Sequence, residues 1–251
     1  MDASVCAIVL AAGKGTRMKA PSNLNKVAFQ LADKPIIVHT YDMLKSAGLE
    51  SIIVVIGFAG ESVQTALGDK VTYAIQVDPQ GTGHAVKVAM PCIPSDCHTV
   101  ISMYGDDSAF YPPTLIKTLL SEHSQAKAAI TLVTIHKDDP TGLGRIVRNR
   151  EGEFTEIVEE KNATDDQKQI HEINTGLFCF DREFLSHAID QIQPNSVTGE
   201  LYLTDIIEIA VKNHQKVHAI TWKSDDIWYG VNTREQLKEA EIRMNQKNAV
   251  K

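Results

Sequence analysis

No apolar run in this sequence approaches the ~20 residues that a membrane-spanning helix requires. The first strand-like run, Val5 to Ala12, has no basic segment before it. Neither a transmembrane span nor a secretory signal is predicted, and a cytoplasmic location is expected. Cysteine is scarce: there are four, at positions 6, 92, 97 and 179, with no C-x-x-C pair. That usage points to free thiols in a reducing compartment rather than to a disulfide scaffold or a zinc site. The nine histidines have no clustered spacing, so none is assigned to a metal. Positive charge is in deficit, with 25 Lys and Arg against 32 Asp and Glu and a net charge of −7. A nucleic-acid binder draws most of its affinity from a basic stripe that neutralises phosphates. Here the basic residues are scattered apart from a small group near the N-terminus, so nucleic acid and membrane are excluded as expected partners. A small phosphorylated ligand, held by local backbone and a few cations, fits the charge better.

What is present is the composition of a folded domain, with 43% apolar and 23% charged residues over 251 positions. That length is enough to bury one sizeable core, or one core with a small appended lobe. Val5 to Leu10 is a continuous apolar run, as in a strand buried on both faces. A helix is expected from about Pro35, with Ile36, Ile37, Tyr41 and Leu44 on one face. Then come a strand at Ser51 to Ile56, a helix at Glu61 to Leu67 and a strand at Val71 to Ile75. A helix at Gly83 to Met90 and a strand at Thr99 to Met103 follow. The alternation predicts an α/β fold in three layers, a mostly parallel sheet with helices on both faces. After Thr141 shorter strands are expected at Arg145 to Arg148, Phe154 to Val158 and Ile173 to Phe180. They form a small mixed β region that builds a second wall of the site. Helices at about Arg182 to Ile192 and Leu203 to Lys212, a strand at Val217 to Trp222 and a charged helix from Arg234 to about Lys247 complete the chain. The reading is a single domain with two lobes, at about 1–110 and about 111–232, and a C-terminal helix at about 233–248.

Gly13-Lys14-Gly15-Thr16-Arg17 follows the first buried strand. Glycines in such a loop let backbone N–H groups approach phosphate oxygens without a Cβ in the way. Lys14, Arg17 and Lys26 add positive charge. The Walker spacing is absent, and the dinucleotide pattern lacks its third glycine because Met18 stands there. The loop alone reads equally as a phosphate cradle or as a solvent-exposed turn.

The wider string is more specific. Leu10 to Met18, followed by Lys26-Val27, resembles the opening of the sugar-nucleotide pyrophosphorylases. Within them the chain is most similar to the uridyltransferase domain of the bacterial bifunctional N-acetylglucosamine-1-phosphate uridyltransferases. The resemblance continues, in order, at Gln80 to Ala85, Tyr104-Gly105-Asp106, Asp139 to Ile146 and Ile157 to Lys161. It extends through Glu172 to Gly176, Tyr202 to Ile207 and Gly230-Val231-Asn232, and so covers nearly the whole chain. It implies the Rossmann-like fold of the nucleotide-diphospho-sugar transferases.

The resemblance also implies roles. The loop formed by Leu10, Ala11, Ala12, Gly13 and Gly15 wraps the nucleotide, and Arg17 and Lys26 meet its phosphates, where charge builds as pyrophosphate departs. Gln76, with Gly81 and Thr82, is matched to base recognition, since an amide offers a donor and an acceptor together. Tyr104 and Gly105 flank the nucleotide. Asp106 follows a buried strand at the sheet edge where α/β folds place ligands, and its carboxylate suits magnesium. Asn232 is implied as the second protein ligand to Mg2+. Gly144, Glu159 and Asn174 resemble the set that contacts the sugar, whereas Glu160 and Lys161 read as a solvated strand end. The sequence departs from the family in three places. Lys19 to Asn25 is two residues longer, Asn25 stands where proline is common, and Asp107-Ser108 replaces an apolar residue and proline.

A sugar 1-phosphate is already an anionic nucleophile near neutral pH, so no general base is needed. The expected reaction joins UTP to N-acetylglucosamine 1-phosphate by in-line displacement, giving UDP-N-acetylglucosamine and pyrophosphate. The hexapeptide-repeat acetyltransferase half of the bifunctional relatives does not follow in this sequence, so no acetyl-CoA chemistry is expected from it. Two alternatives stand. One is uridylyl, thymidylyl or cytidylyl transfer to a different sugar 1-phosphate or alcohol phosphate. The other is a non-catalytic nucleotide-sugar sensor, against which the retention of Arg17, Asp106 and Asn232 argues.

Overall fold

Along β1, Val5–Ala11, alternate side chains enter two different cores. Cys6, Ile8 and Leu10 join one, and Ala7, Val9 and Ala11 join the other. Side chains of a strand point alternately to opposite faces, so a run apolar at every position needs a cover on both. The computed structural model, which describes residues 5–18 and 21–249, supplies both covers. The residues before Val5, on which the signal-peptide reading rests, and Lys19 and Ala20 of the longer loop lie outside the described residues.

The described elements are β1, a short hairpin of β2 (Gln30–Leu31) and β3 (Lys34–Pro35), α1 (Ile36–Ala47), β4 (Ser51–Ile56), α2 (Gly60–Leu67) and β5 (Thr72–Ile75). They continue with α3 (Thr82–Ala89), β6 (Thr99–Tyr104), α4 (Pro113–Ala126) and β7 (Ile130–His136). Then come β8 (Arg145–Arg148), β9 (Phe154–Val158), α5 (Asp165–Lys168), β10 (Glu172–Asp181) and α6 (Arg182–Ala188). The last are α7 (Ile206–Lys212), β11 (Val217–Trp222) and α8 (Arg234–Ala249). The main sheet runs β11-β7-β10-β6-β1-β4-β5, with β8 pairing β10 and β9 pairing β8. β6, β1, β4 and β5 are parallel neighbours, as are β7 and β11. β10 is antiparallel to both β6 and β7. Residues of α3, α6 and α7 pack on one face, and those of α1, α2 and α4 on the other.

Several boundaries differ from the sequence reading for identifiable reasons. Ile173 to Phe180 is more than a short strand of the small mixed β region. It belongs to the ten-residue β10 at the centre of the sheet, with Phe178, Cys179 and Phe180 fully buried. The α1 face runs through Thr40 and Met43 to Leu44, while Tyr41 is only half-buried. The helix expected at Arg182 to Ile192 is α-helical only to Ala188, and the one expected from Leu203 opens with a 3₁₀ turn before Ile206. α4 and β7 were not anticipated. Thr131 and Thr134, polar yet fully buried in β7, break its apolar pattern.

Candidate active site

A third, smaller core lies under the carboxyl ends of β1 and β6. Met18, Leu31, Ile36, Phe110, Val231, Ala240 and Met244 are buried together there. Each of these side chains larger than Ala240 contributes roughly 1.5–3 kcal/mol of transfer free energy, enough to fix the neighbouring backbone. Met18 thereby anchors Arg17, and Val231 anchors Asn232. The Val231 N–H donates to Asp106 O at 3.1 Å, and Gly105 N–H donates to Leu10 O at 3.0 Å. Thr233 and Gln236 form a reciprocal cap on α8. Gln236 N–H donates to Thr233 Oγ1, and Gln236 Oε1 accepts from the N–H groups of Thr233 and Asn232.

These anchors bring four expected residues together from distant parts of the chain. Arg17 Nη2 donates to Asn232 Oδ1 at 2.9 Å. Lys26 Nζ donates to the same oxygen at 3.3 Å and forms an ion pair with Asp106 Oδ2. The carboxylate of Asp106 and the amide oxygen of Asn232 are hard donors, and the Lys26 ammonium bridging them marks a point where positive charge is stabilised. The set fits a hard cation with two protein ligands. Among the described residues no group of three or more His, Cys, Asp or Glu is arranged to hold a metal. An ion held by these two residues would take the rest of its ligands from water or phosphate oxygens, as small divalent cations do.

The residues expected around the nucleotide gather along the same edge of the sheet. Ala12 O accepts from Phe58 N–H at 3.2 Å, and Gln76 N–H donates to Ile56 O at 2.8 Å. Gln76 is buried, and its amide nitrogen is already committed to Gly81 O at 3.1 Å and His84 Nδ1 at 3.0 Å. Only its carbonyl oxygen is left to meet a ligand, not the donor and acceptor together that the sequence suggested. Gly81 has φ +98°, and a Cβ there would lie 2.5 Å from Leu201 O, so the turn into α3 requires glycine. Thr82 opens α3, and its hydroxyl accepts from Leu203 N–H at 3.0 Å.

Next to the ionic cluster is a cleft of about 1120 Å³. Gly144, Glu159 and Asn174 line it together with Thr82, Tyr104 and Tyr202. A Cβ on Gly144 would sit 3.5 Å from Glu159 Oε1, which places the two on one wall. Arg17, Lys26, Asp106 and Asn232 are not among the lining residues; Tyr104 and Asp107 connect the cleft to them. Glu160 is no solvated strand end. It pairs at 2.6 Å with Arg145, which is buried and also donates to Leu143 O beneath the Gly142-Leu143-Gly144 loop. Lys161 lies over the Tyr202 ring at 5.7 Å.

Sequence reasoning missed Trp228. Its indole N–H donates to Asp107 Oδ2 and to Thr175 O, each at 3.2 Å. Its position two residues before Gly230 was the available signal. Asp107 is buried in the cleft wall, and its Oδ1 has no partner among the described residues. Burial, and then the charge of Asp106, hold its carboxyl well above the ordinary range, against the opposing bond from Trp228 and the charge of Lys26. The folded protein thus keeps a proton that the unfolded chain releases. The stability this contributes is complete below the unfolded value, about 4 for aspartate, and is lost as pH rises through the elevated folded value. Asp107→Asn needs no proton, so without added metal its melting temperature should gain on the parent's as pH rises from 4 to 8. Parallel melting curves across that range would contradict this.

Comparison with known proteins follows the same lines. The family model for nucleotidyl transferase matches residues 6–247. The bifunctional protein GlmU of Heliobacterium modesticaldum is 46% identical over 235 residues, 94% of this chain and 51% of that protein. The bifunctional protein GlmU of Bacillus licheniformis is 41% identical over 241 residues, 96% of this chain and 52% of that protein. The chain spans about half the length of the curated relatives it matches. A Bacillus anthracis crystal structure, described as a glucose-1-phosphate thymidylyltransferase in complex with a sucrose, superposes with a TM-score of 0.78. It covers 95% of this chain and 94% of its own at 22% identity, a likeness that speaks for the fold alone.

Proposed function

The chain belongs to the nucleotidyl transferase family, and from that premise we propose that it joins UTP to N-acetylglucosamine 1-phosphate with Mg2+, releasing pyrophosphate. The observation that carries this reading is the convergence of Arg17 and Lys26 on the oxygens of Asp106 and Asn232, beside a cleft lined by Gly144, Glu159 and Asn174. In this reading the nucleotide lobe is about 1–110, the sugar lobe about 111–232, and α8 closes the domain.

Leu10 to Gly15 wrap the triphosphate, and Gln76, Gly81 and Thr82 meet the base. Tyr104 and Gly105 line the path between base and sugar. Gly144, Glu159 and Asn174 orient the sugar through a backbone N–H, a carboxylate and an amide. Asp106 and Asn232 hold the ion. When bound, Mg2+ supplies positive charge that offsets the repulsion between two anionic substrates. Arg17 and Lys26 donate to phosphate oxygens and stabilise the charge that grows on the departing pyrophosphate. The sugar phosphate attacks directly and in line, so no enzyme nucleophile takes part.

The test is pyrophosphate release from UTP and N-acetylglucosamine 1-phosphate in Mg2+, with labelled UTP alone as the control. The expected result is turnover with both substrates present and no label retained on the denatured protein. A nucleotidylated protein formed from UTP alone would contradict direct displacement. One observation favours a second reading, in which the acceptor is a different sugar 1-phosphate: the buried Asp107 in the cleft wall has an oxygen without a partner. A panel of sugar 1-phosphates in the same assay separates the two readings by which acceptor gives the highest kcat/KM.

A further inference from the structure

Asn25 is fully buried, yet every one of its polar groups is engaged. Its side-chain nitrogen donates to Phe58 O at 2.7 Å and Ala11 O at 3.0 Å, with a longer approach to Gly13 O at 3.4 Å. Its Oδ1 accepts from Val27 N–H at 3.1 Å and caps the 3₁₀ turn Lys26–Ala28. Its backbone N–H donates to Ser62 Oγ at 3.0 Å, and its carbonyl accepts from Ala28 N–H at 3.0 Å. One amide therefore joins three segments: the loop after β1, the turn between β4 and α2, and the turn that carries Lys26. A buried polar network satisfied this completely fixes a single geometry.

That geometry bears on the loop. Within a trans peptide the carbonyl and the following N–H point in opposite directions. With Ala11 O and Gly13 O drawn to Asn25, and Ala12 O drawn to Phe58 N–H, the N–H groups of Ala12, Gly13 and Lys14 turn the other way. Among the described residues the N–H groups of Gly13, Lys14 and Gly15 have no hydrogen-bond partner. On the far side of Asn25, the same cap aims Lys26 at Asp106.

We propose that Asn25 is a positioning residue: its side-chain amide holds the loop carbonyls down so that the loop N–H groups face the nucleotide phosphates. This rests on the reading of residues 10–15 as the nucleotide loop.

The experiment measures the UTP dissociation constant by calorimetry, and kcat and KM by pyrophosphate release, for Asn25→Ala, Asn25→Pro and Ser62→Ala. Asn25 has φ −73° and ψ 148°, which a proline ring also holds, so Asn25→Pro keeps the chain direction into Lys26 while removing the side-chain amide and the backbone N–H that meets Ser62. Ser62→Ala removes the partner of the Asn25 backbone N–H, and with it the Ser62 bond to Ala59 O, while leaving the Asn25 side-chain amide in place. Both Asn25 variants should weaken UTP binding about tenfold, the effect of losing one to two net hydrogen bonds. KM for the sugar phosphate should stay constant, and Ser62→Ala should match the parent. Unchanged UTP affinity in Asn25→Pro, or equal rises in both KM values, would assign Asn25 to packing and overturn the proposal. A parent that binds UTP yet releases no pyrophosphate would overturn the proposed activity alone, because the dissociation constants would still decide the role of Asn25. A parent that binds no UTP would overturn both.

Discussion

Asp106→Asn is expected to lower kcat roughly 100- to 1,000-fold, the scale on which a single group facing transition-state charge acts. The substitution keeps the shape and removes the charge. It deprives Lys26 of an anionic partner and the proposed ion of its carboxylate. The fold should tolerate it, because the turn is held by backbone groups: Asp106 O accepts from Val231 N–H, and Gly105 N–H donates to Leu10 O. The informative readout is metal dependence. A lost ligand raises the Mg2+ concentration needed for half-maximal rate, so the variant should require at least about tenfold more. An unchanged Mg2+ requirement with a reduced kcat would remove Asp106 from the metal site and leave it as the partner of Lys26 alone.

Arg17→Ala should show the opposite signature. Its kcat should fall by a similar factor, about 100- to 1,000-fold, with the Mg2+ requirement and the melting temperature unchanged. Arg17 is exposed and makes one side-chain hydrogen bond, to Asn232 Oδ1, among those described. Exposed substitutions of this kind usually shift stability by less than about 0.5 kcal/mol. Arg17→Lys should recover little, since an ammonium cannot reproduce the planar fork with which a guanidinium grips phosphate oxygens. Full activity in Arg17→Lys would mean that Arg17 contributes only its charge. A drop in melting temperature alone would mean that Arg17 braces Asn232.

Much of the fold and of the candidate site is legible in the sequence. Val5 to Leu10 and Ser51 to Ile56 are apolar at nearly every position, which marks central parallel strands directly. The order of short motifs along the chain pointed to Arg17, Lys26, Asp106 and Asn232, which the fold then brings into contact. The register of β10 was hidden, because whether a strand runs parallel or antiparallel depends on partners far away in sequence. The bulge between Asn174 and Phe178 breaks its pattern further. β7 was hidden because Thr131 and Thr134 are satisfied by side chains that only the fold supplies, His123 for the first and Glu172 for the second. The bonds between Asp107 and Trp228 and between Asn25 and Phe58 were invisible for the same reason. In the sequence Asn25 reads only as a departure from the proline common at that place. The structure makes it the residue that aims the lysine.

In the proposed function Asp106 and Asn232 share one cation beside the triphosphate. The most direct measurement is an anomalous difference map from crystals grown with Mn2+ and a non-hydrolysable UTP analogue. One strong peak is expected, bonded to an Asp106 carboxylate oxygen and to Asn232 Oδ1, with analogue phosphate oxygens completing its shell and Lys26 turned toward them. A peak elsewhere, or a bound nucleotide with Lys26 still paired to Asp106 and no metal between the two oxygens, would contradict it.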